Sequence, residues 1–472
     1  MERRASQEAA IDLVESGHFL AAEEMFSERR TNDPMEMVIR SEVALYFDRL
    51  DDANLLLEQV ASRIVDIGVA ARFSLAGGRL ALQREDYAQA DAKLQTAYHF
   101  SLFQNDSFGT SRALLYLARL ARRRGLLDDA AAKLEAAQNS IGGRTSRRAE
   151  FLRGLIVAEQ AAVATDAGEV EQATEYFAEA ARLLKATEKG RFYARALIAC
   201  ADLKCGLGEL QESLEIYKEA NTIFERYYIK RDLADGQLRL ALALIRLKRF
   251  ERAEKLAEES RELFGGDTVG ASAAFAILAD AALQQDRLDD AASRAATAIE
   301  WAGQSNSQTA RAGALIMVGR VRLAEREFKQ AAEALREAAD TARALTPSSD
   351  NQRLELESVI YLSEAFHNID TRAGRTELAR ASELLNRVED AWLGDEFNRV
   401  SAKYEEQIVF TDDNRLVFDG NQLPRWQEAK KTLEGFLLRN ALRQTNNSLT
   451  RAARKLGVSK VHVHNLKKKH NL

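Results

Sequence analysis

A chain of 472 residues with 46% apolar residues can bury a large core, and only three prolines among abundant Ala, Leu, Glu and Arg point to an all-α protein. Two cysteines, Cys200 and Cys205, cannot make a disulfide framework, no apolar run approaches the roughly 20 residues of a membrane span, and the start MERRASQEAAIDLVESGH is too charged for a secretory signal, so a cytoplasmic protein without membrane contact is expected. The net charge of −5 hides a division: residues 425–472 hold twelve Lys/Arg against Glu428 and Glu434, or +10, which leaves −15 for the rest and suggests a tip that meets a polyanion.

In chain order, the first signal is an internal repeat. Tyr87, Leu127, Val170, Leu210, Phe250, Leu288 and Phe328 lie 38 to 43 residues apart. Three residues after these anchors come Ala90, Ala130, Ala173, Ser213, Ala253, Ala291 and Ala331. Seven after come Leu94, Leu134, Phe177, Tyr217, Ala257, Ala295 and Leu335, and ten after come Ala97, Ala137, Ala180, Ala220, Ser260, Ala298 and Ala338. These offsets keep to one helix face, so each anchor begins a helix with a small-large-small stripe, except where Ala257 and Ala295 are themselves small. Nine before each anchor stand Gly78, Ala118, Ala161, Ala201, Ala241, Ala279 and Gly319, small enough for a preceding helix to approach closely. Two looser units precede these, Phe19-Ala22-Phe26 with Ala10 and Leu50-Ala53-Leu57 with Ser41.

Over roughly residues 5–345 this pattern resembles the tetratricopeptide repeat. The resemblance implies a right-handed α-superhelix of about nine to ten helical hairpins across residues 1–403. Spacings near 40 rather than the usual 34 or so imply longer helices. It also implies a concave groove lined by the first helices, which would take a peptide, protein or small anionic ligand. The register aims Arg72, Arg79, Arg112, Arg119, Arg122 and Arg195 into that groove, with Asp202, Asp280 and Arg320 further along. Arginines in an acidic body suit a carboxylate, a phosphate or an acidic peptide; equally, they suit ion pairs with glutamates of neighbouring repeats.

Residues 351–403 read as a degenerate capping hairpin, NQRLELESVIYLSEAFHNI and TELARASELLNRVEDAWLG. At 404–425 the period changes: Ile408-Val409-Phe410 and Leu416-Val417-Phe418 flank a polar turn and predict a short β-hairpin in an adaptor or hinge. From Trp426 to Gln444, Trp426, Ala429, Leu433, Phe436, Leu437 and Ala441 recur at helical spacing. A second helix opens near Ser448 or Thr450 with Ala452, Ala453 and Leu456 inward, Gly457 makes a turn that needs positive φ, and Ser459 caps a third.

Residues 426–472 resemble the Fis-type helix-turn-helix at the C-terminus of many bacterial transcriptional activators. Ala452, Ala453, Leu456, Gly457, Val458 and Ser459 match its pattern, Lys460 stands for its arginine and Val463 for its first leucine. Ser448 replaces an asparagine, and Leu466-Lys467 reverses the expected order at the final leucine. The resemblance implies double-stranded DNA as partner, through Ser448, Thr450, Arg451, Ser459, Lys460, His462, His464, Asn465, Lys467 and Lys468, with Ser459, Lys460, His462 and His464 nearest the bases. It further implies a homodimer held by Leu433, Phe436 and Leu437, in which the array's ligand alters how two tips meet paired half-sites.

His462, His464 and His470 lack the partners and spacing of a metal site, the Gly142-Gly143 and Gly265-Gly266 pairs lack the lysine of a phosphate loop, and no acid/base or nucleophile arrangement stands out. The expectation is a DNA-binding transcriptional regulator, not an enzyme, with no cofactor and no metal. The alternative is a scaffold whose basic tip binds an acidic protein rather than DNA.

Overall fold

All seven anchors open helices. The computed structural model describes residues 2–26, 31–187, 190–405, 409–410, 416–417, 426–445 and 447–470. The first two hairpins pair α1 (Glu2–Glu15) with α2 (Phe19–Phe26) and α3 (Pro34–Tyr46) with α4 (Leu50–Ala61). Next come α5 (Ile67–Gln83) with α6 (Tyr87–Phe103), α7 (Ser107–Arg123) with α8 (Leu127–Ile141), and α9 (Arg147–Ala167) with α10 (Val170–Thr187). Then follow α11 (Arg191–Gly206) with α12 (Leu210–Arg226), and α13 (Lys230–Arg246) with α14 (Phe250–Phe264). The last in register are α15 (Thr268–Gln284) with α16 (Leu288–Gln304) and α17 (Gln308–Ala324) with α18 (Phe328–Ala344). A tenth hairpin, α19 (Ser349–His367) and α20 (Thr371–Leu385), is followed by α21 (Ala391–Glu405). The fold is all-helical and tetratricopeptide-like. The second helix expected in the capping region is two helices, because the chain breaks between Asn386 and Asp390, where Asp390 accepts the backbone N–H of Leu393 and starts α21.

The stripe residues account for the packing. Every residue three, seven and ten positions after an anchor is buried. Where the small residue on a first helix is glycine, it meets the position seven after the anchor: a Cβ on Gly78 would stand 2.6 Å from Leu94 Cγ, and one on Gly319 2.4 Å from Leu335 Cγ. The 17-residue α5 and α6 show how the longer repeat is absorbed, by longer helices rather than longer loops.

The turns inside the nine in-register hairpins share one geometry. The residue two before each anchor has a left-handed φ: Gly17, Asp48, Glu85, Gly125, Gly168, Gly208, Lys248, Asp286 and Arg326. The next N–H then bonds back across the helix end, as from Leu126 to the Ala121 carbonyl and from Arg249 to the Leu244 carbonyl, which satisfies carbonyls that the helix would otherwise leave free. Side-chain caps start seven of the first helices, with Asp33, Asp66, Asp106, Ser146, Asp267, Ser307 and Ser348 accepting backbone N–H groups, whereas α11 and α13 begin without one.

The chain divides into two units, Met1–Val400 and Ser401–Leu472. Within the first, repeats far apart in sequence touch. Phe19 stacks on Tyr46 with centroids 4.1 Å apart, and both rings pack against Phe192, with Phe151 beside Phe19. At the other end, Ser349 N–H and Oγ both donate to Asp166. In the second unit, β1 (Val409–Phe410) and β2 (Leu416–Val417) pair antiparallel, Val409 opposite Val417. The turn expected between them, and the rest of the expected adaptor apart from residues 404 and 405, lie outside the described residues. The unit ends with α22 (Trp426–Gln444), α23 (Leu449–Leu456) and α24 (Lys460–Lys469).

Candidate functional site

Two features carry the chemistry, a groove in the first unit and the three terminal helices of the second.

The groove runs past α3, α5, α7, α9, α11 and α13 and encloses about 2010 Å³, part of it open to solvent. The closed part of it, about 600 Å³, falls within the roughly 300–1,000 Å³ typical of small-molecule sites. Of the six arginines expected in it, Arg79, Arg119, Arg122 and Arg195 line it, whereas Arg72 and Arg112 do not; all but Arg79 are held by carboxylates. Arg72 is buried, its Nη1 2.8 Å from Glu15 and its Nε 2.8 Å from Glu42. Arg112 lies 2.9 Å from Glu15, and Arg148 joins the same carboxylate at 2.5 Å, so three first helices converge on one acid from α1. Arg119 and Arg122 take opposite oxygens of Glu159, each at 2.7 Å, and Arg122 also reaches Asp166 at 2.9 Å. Arg195 shares Asp232 with Arg191, at 2.8 and 2.6 Å. These five are interhelical ion pairs. Arg79 is different: half-buried, it lies over the Tyr116 ring at 5.1 Å, and among the described residues it has no carboxylate partner.

Burial and pairing compete at these acids. Burial alone would raise the Glu159 carboxyl, but Arg119 and Arg122 overcome it and hold the group at about 2. Glu15 is likewise depressed, burial being outweighed by Arg112, Arg72 and Arg148. At Asp202 burial wins: its carboxyl is pushed up to about 6 although Arg239 draws it down, and it accepts the Tyr217 hydroxyl at 2.6 Å. Asp280 pairs with Arg320 at 2.7 Å. Glu42 stands eight residues before Leu50, the offset at which Arg79 and Arg119 precede their anchors, whereas Glu15, Glu159 and Asp232 share no such register and are visible only as the partners that buried arginines must have.

In the second unit, Leu438, Ala441 and Leu442 of α22 pack against Ala452, Ala453 and Val463, with Leu449, Leu456 and Leu466 around them. Gly457 takes φ 67° at the turn between α23 and α24. Ser448 stands at the N-cap of α23 without a side-chain cap bond, and Thr450 and Arg451 are exposed on its first turn. Ser459 accepts the His462 N–H at 3.1 Å, so its hydroxyl is engaged in capping. The apolar face that fixes α24 is Val463, fully buried, with Leu466 beside it; Lys467 is half-buried next to them. The reversed Leu466-Lys467 order thus keeps an apolar contact one residue early. Lys460, His462, His464, Asn465 and Lys468 are exposed, and among the described residues Arg451, Lys460, Lys467 and Lys468 have no carboxylate partner, whereas Lys469 pairs with Glu434 at 2.8 Å. The apolar stripe expected on α22 divides: Leu433 and Leu437 are 43% and 46% exposed, Phe436 is half-buried, and Leu438 with Leu442 supplies the inner face.

No helix among the described residues is long and apolar enough to cross a membrane. No protein-family model matches the chain, and no curated protein sequence matches it. Solved structures do share the fold. Apo RapI superposes with a TM-score of 0.52 at 13% identity, covering 78% of this chain and 98% of its own. The apo quorum sensor NprR from B. thuringiensis gives 0.52 at 13% identity, covering 74% and 97%. Aspartyl phosphate phosphatase F from Bacillus subtilis gives 0.51 at 12% identity, covering 73% and 94%. At such identities the likeness establishes the helical fold alone.

Proposed function

We propose that this chain is a DNA-binding transcriptional regulator, without enzymatic activity of its own, whose repeat array receives a peptide and whose C-terminal helices form a Fis-like helix-turn-helix. The observation that carries this reading is the outward face of α24. Away from the buried Val463 it presents His464, Asn465 and Lys468, with Lys460 at its flank, all exposed and free of carboxylates among the described residues. Cations that no acid neutralises are suited to phosphates, and amide and imidazole groups on the same short helix suit base edges in a major groove. The exposed Leu433 and Leu437 give α22 an apolar strip for a second copy, as a dimer reading two half-sites requires. On the input side, the groove is elongated, passing six first helices, as an extended peptide would need, and NprR, which shares the fold, is a quorum sensor.

The test is binding of the full chain to duplex DNA across a salt series. Wild type is expected to bind at low salt, and Lys460→Glu with Lys468→Glu to weaken binding at least tenfold and lower the log-log salt slope by about 2, as loss of two phosphate contacts demands. Failure of wild type to bind any duplex at low salt sinks the DNA reading and leaves the acidic-protein scaffold, which the +10 charge of residues 425–472 also suits.

A further inference from the structure

Val461 is the second residue of α24 and is 69% exposed. The core of the three terminal helices closes without it, around Leu438, Ala441, Leu442, Ala452, Ala453 and Val463. Two residues along an α-helix turn a side chain by about 200°, so Val461 points almost directly away from the buried Val463. A β-branched residue is also a poor helix former. Packing and propensity thus give no reason for an apolar group at this position.

Its neighbours on the same face supply one. His464, Asn465 and Lys468 follow Val461 at helical offsets of 3, 4 and 7, and all four side chains are exposed on one strip. With Lys460 at the flank, the strip sets a valine and a carboxamide beside cations that no carboxylate neutralises among the described residues. That combination fits a major groove containing A·T pairs. A valine methyl packs against the C5-methyl of thymine, and the carboxamide of asparagine makes paired hydrogen bonds to N6 and N7 of adenine. The first turn of a reading helix is where base edges are met, and Val461 lies in it.

Resting on the DNA reading above, we infer that Val461 and Asn465 give the terminal helices their sequence specificity, Val461 by contact with a thymine methyl and Asn465 by recognition of an adenine. Four residues rise about 6 Å along α24, and base pairs stack about 3.4 Å apart, so the two bases lie within two base-pair steps of each other.

Duplexes bound by the full chain are selected from a random library. In a selected duplex each thymine is replaced in turn by uracil, which removes the C5-methyl alone, and each adenine by 7-deazaadenine, which removes the N7 acceptor. Affinity is read by fluorescence anisotropy at one salt concentration. Wild type is expected to lose about fourfold at a particular thymine, as loss of one buried methyl demands. A loss of about fivefold or more is expected at an adenine within two steps of it. Val461→Ser is expected to bind the thymine and uracil duplexes equally, Val461→Ile to keep the thymine preference, and Asn465→Ala to bind the adenine and 7-deazaadenine duplexes equally. All three variants keep the wild-type salt slope, since neither side chain contacts phosphate. Losses below twofold at every uracil, or a loss that survives Val461→Ser, overturn the inference and spare the DNA reading. Failure of wild type to retain any duplex at low salt overturns both.

Discussion

The groove and the terminal helices are both rich in cations and use them in opposite ways. In and beside the groove Arg72, Arg122 and Arg191 lie within the protein, where an unpaired charge is costly, so each has a carboxylate within 3 Å. On α24 Lys460 and Lys468 lie in water, where a lone ammonium costs little, and no acid meets them among the described residues. The difference teaches that a run of basic residues acquires its meaning from burial: paired, it fixes helices to one another; unpaired and wet, it is available to a polyanion.

The contrast breaks most sharply at Arg191, which is 1% exposed and donates to both oxygens of Asp232 at 2.6 and 2.8 Å, while its backbone N–H donates to the Tyr46 hydroxyl. Arg191→Ala leaves Asp232 with Arg195 alone and strips the buried Tyr46 carbonyl of its donor, and is expected to cost about 3 kcal/mol in urea unfolding. Glu159 comes next. Its folded pKa of about 2 lies below its ordinary 4.5, so it binds fewer protons folded than unfolded, and its stabilisation is complete above about pH 5 and fades as pH falls towards 2. Glu159→Gln should lose on the order of 3 kcal/mol at pH 7, and the gap to wild type should shrink by about half at pH 3. Lys248→Gly, which relieves a left-handed residue at φ 58°, is expected to raise stability by up to about 1 kcal/mol, read as a higher melting temperature. Lys460→Glu with Lys468→Glu should move stability by no more than about 0.5 kcal/mol, since both residues are exposed. A larger loss would mean these lysines hold the fold as the groove arginines do.

The array was legible because its packing is periodic. Ala90, Leu94 and Ala97, and their counterparts in six further repeats, record which face of each second helix is buried, and Gly78 and Gly319 record where helices nearly touch. The left-handed turn was only partly visible. Glycine marks it at 17, 125, 168 and 208, whereas Glu85, Lys248 and Arg326 adopt the same φ under the constraint of hairpin packing, and no residue type announces them. The groove was legible by direction only in part, and not by partner: the register aimed Arg72 and Arg119 inward, Arg119 lines the groove and Arg72 does not, and Glu15 and Glu159, which take them, follow no period. Arg79 could not be told from the other five arginines until each of those had been matched to an acid. In the terminal helices the Gly457 turn, the Ser459 cap and the buried Ala452, Ala453 and Val463 could be read from the motif, while the lack of a side-chain cap bond at Ser448 could not.

Glu15 has a consequence for how the first unit comes into being. It belongs to the first hairpin, and its arginines belong to the third, fourth and fifth. A stack in which each repeat touches only its neighbours can zip up from any point. Here the first hairpin leaves the ribosome long before Arg148 exists, and its closing contacts wait for sequence not yet made. Assembly of this unit is therefore gated by its middle rather than propagated from its start, and unfolding in denaturant should be one concerted event instead of a loss of repeats from the ends.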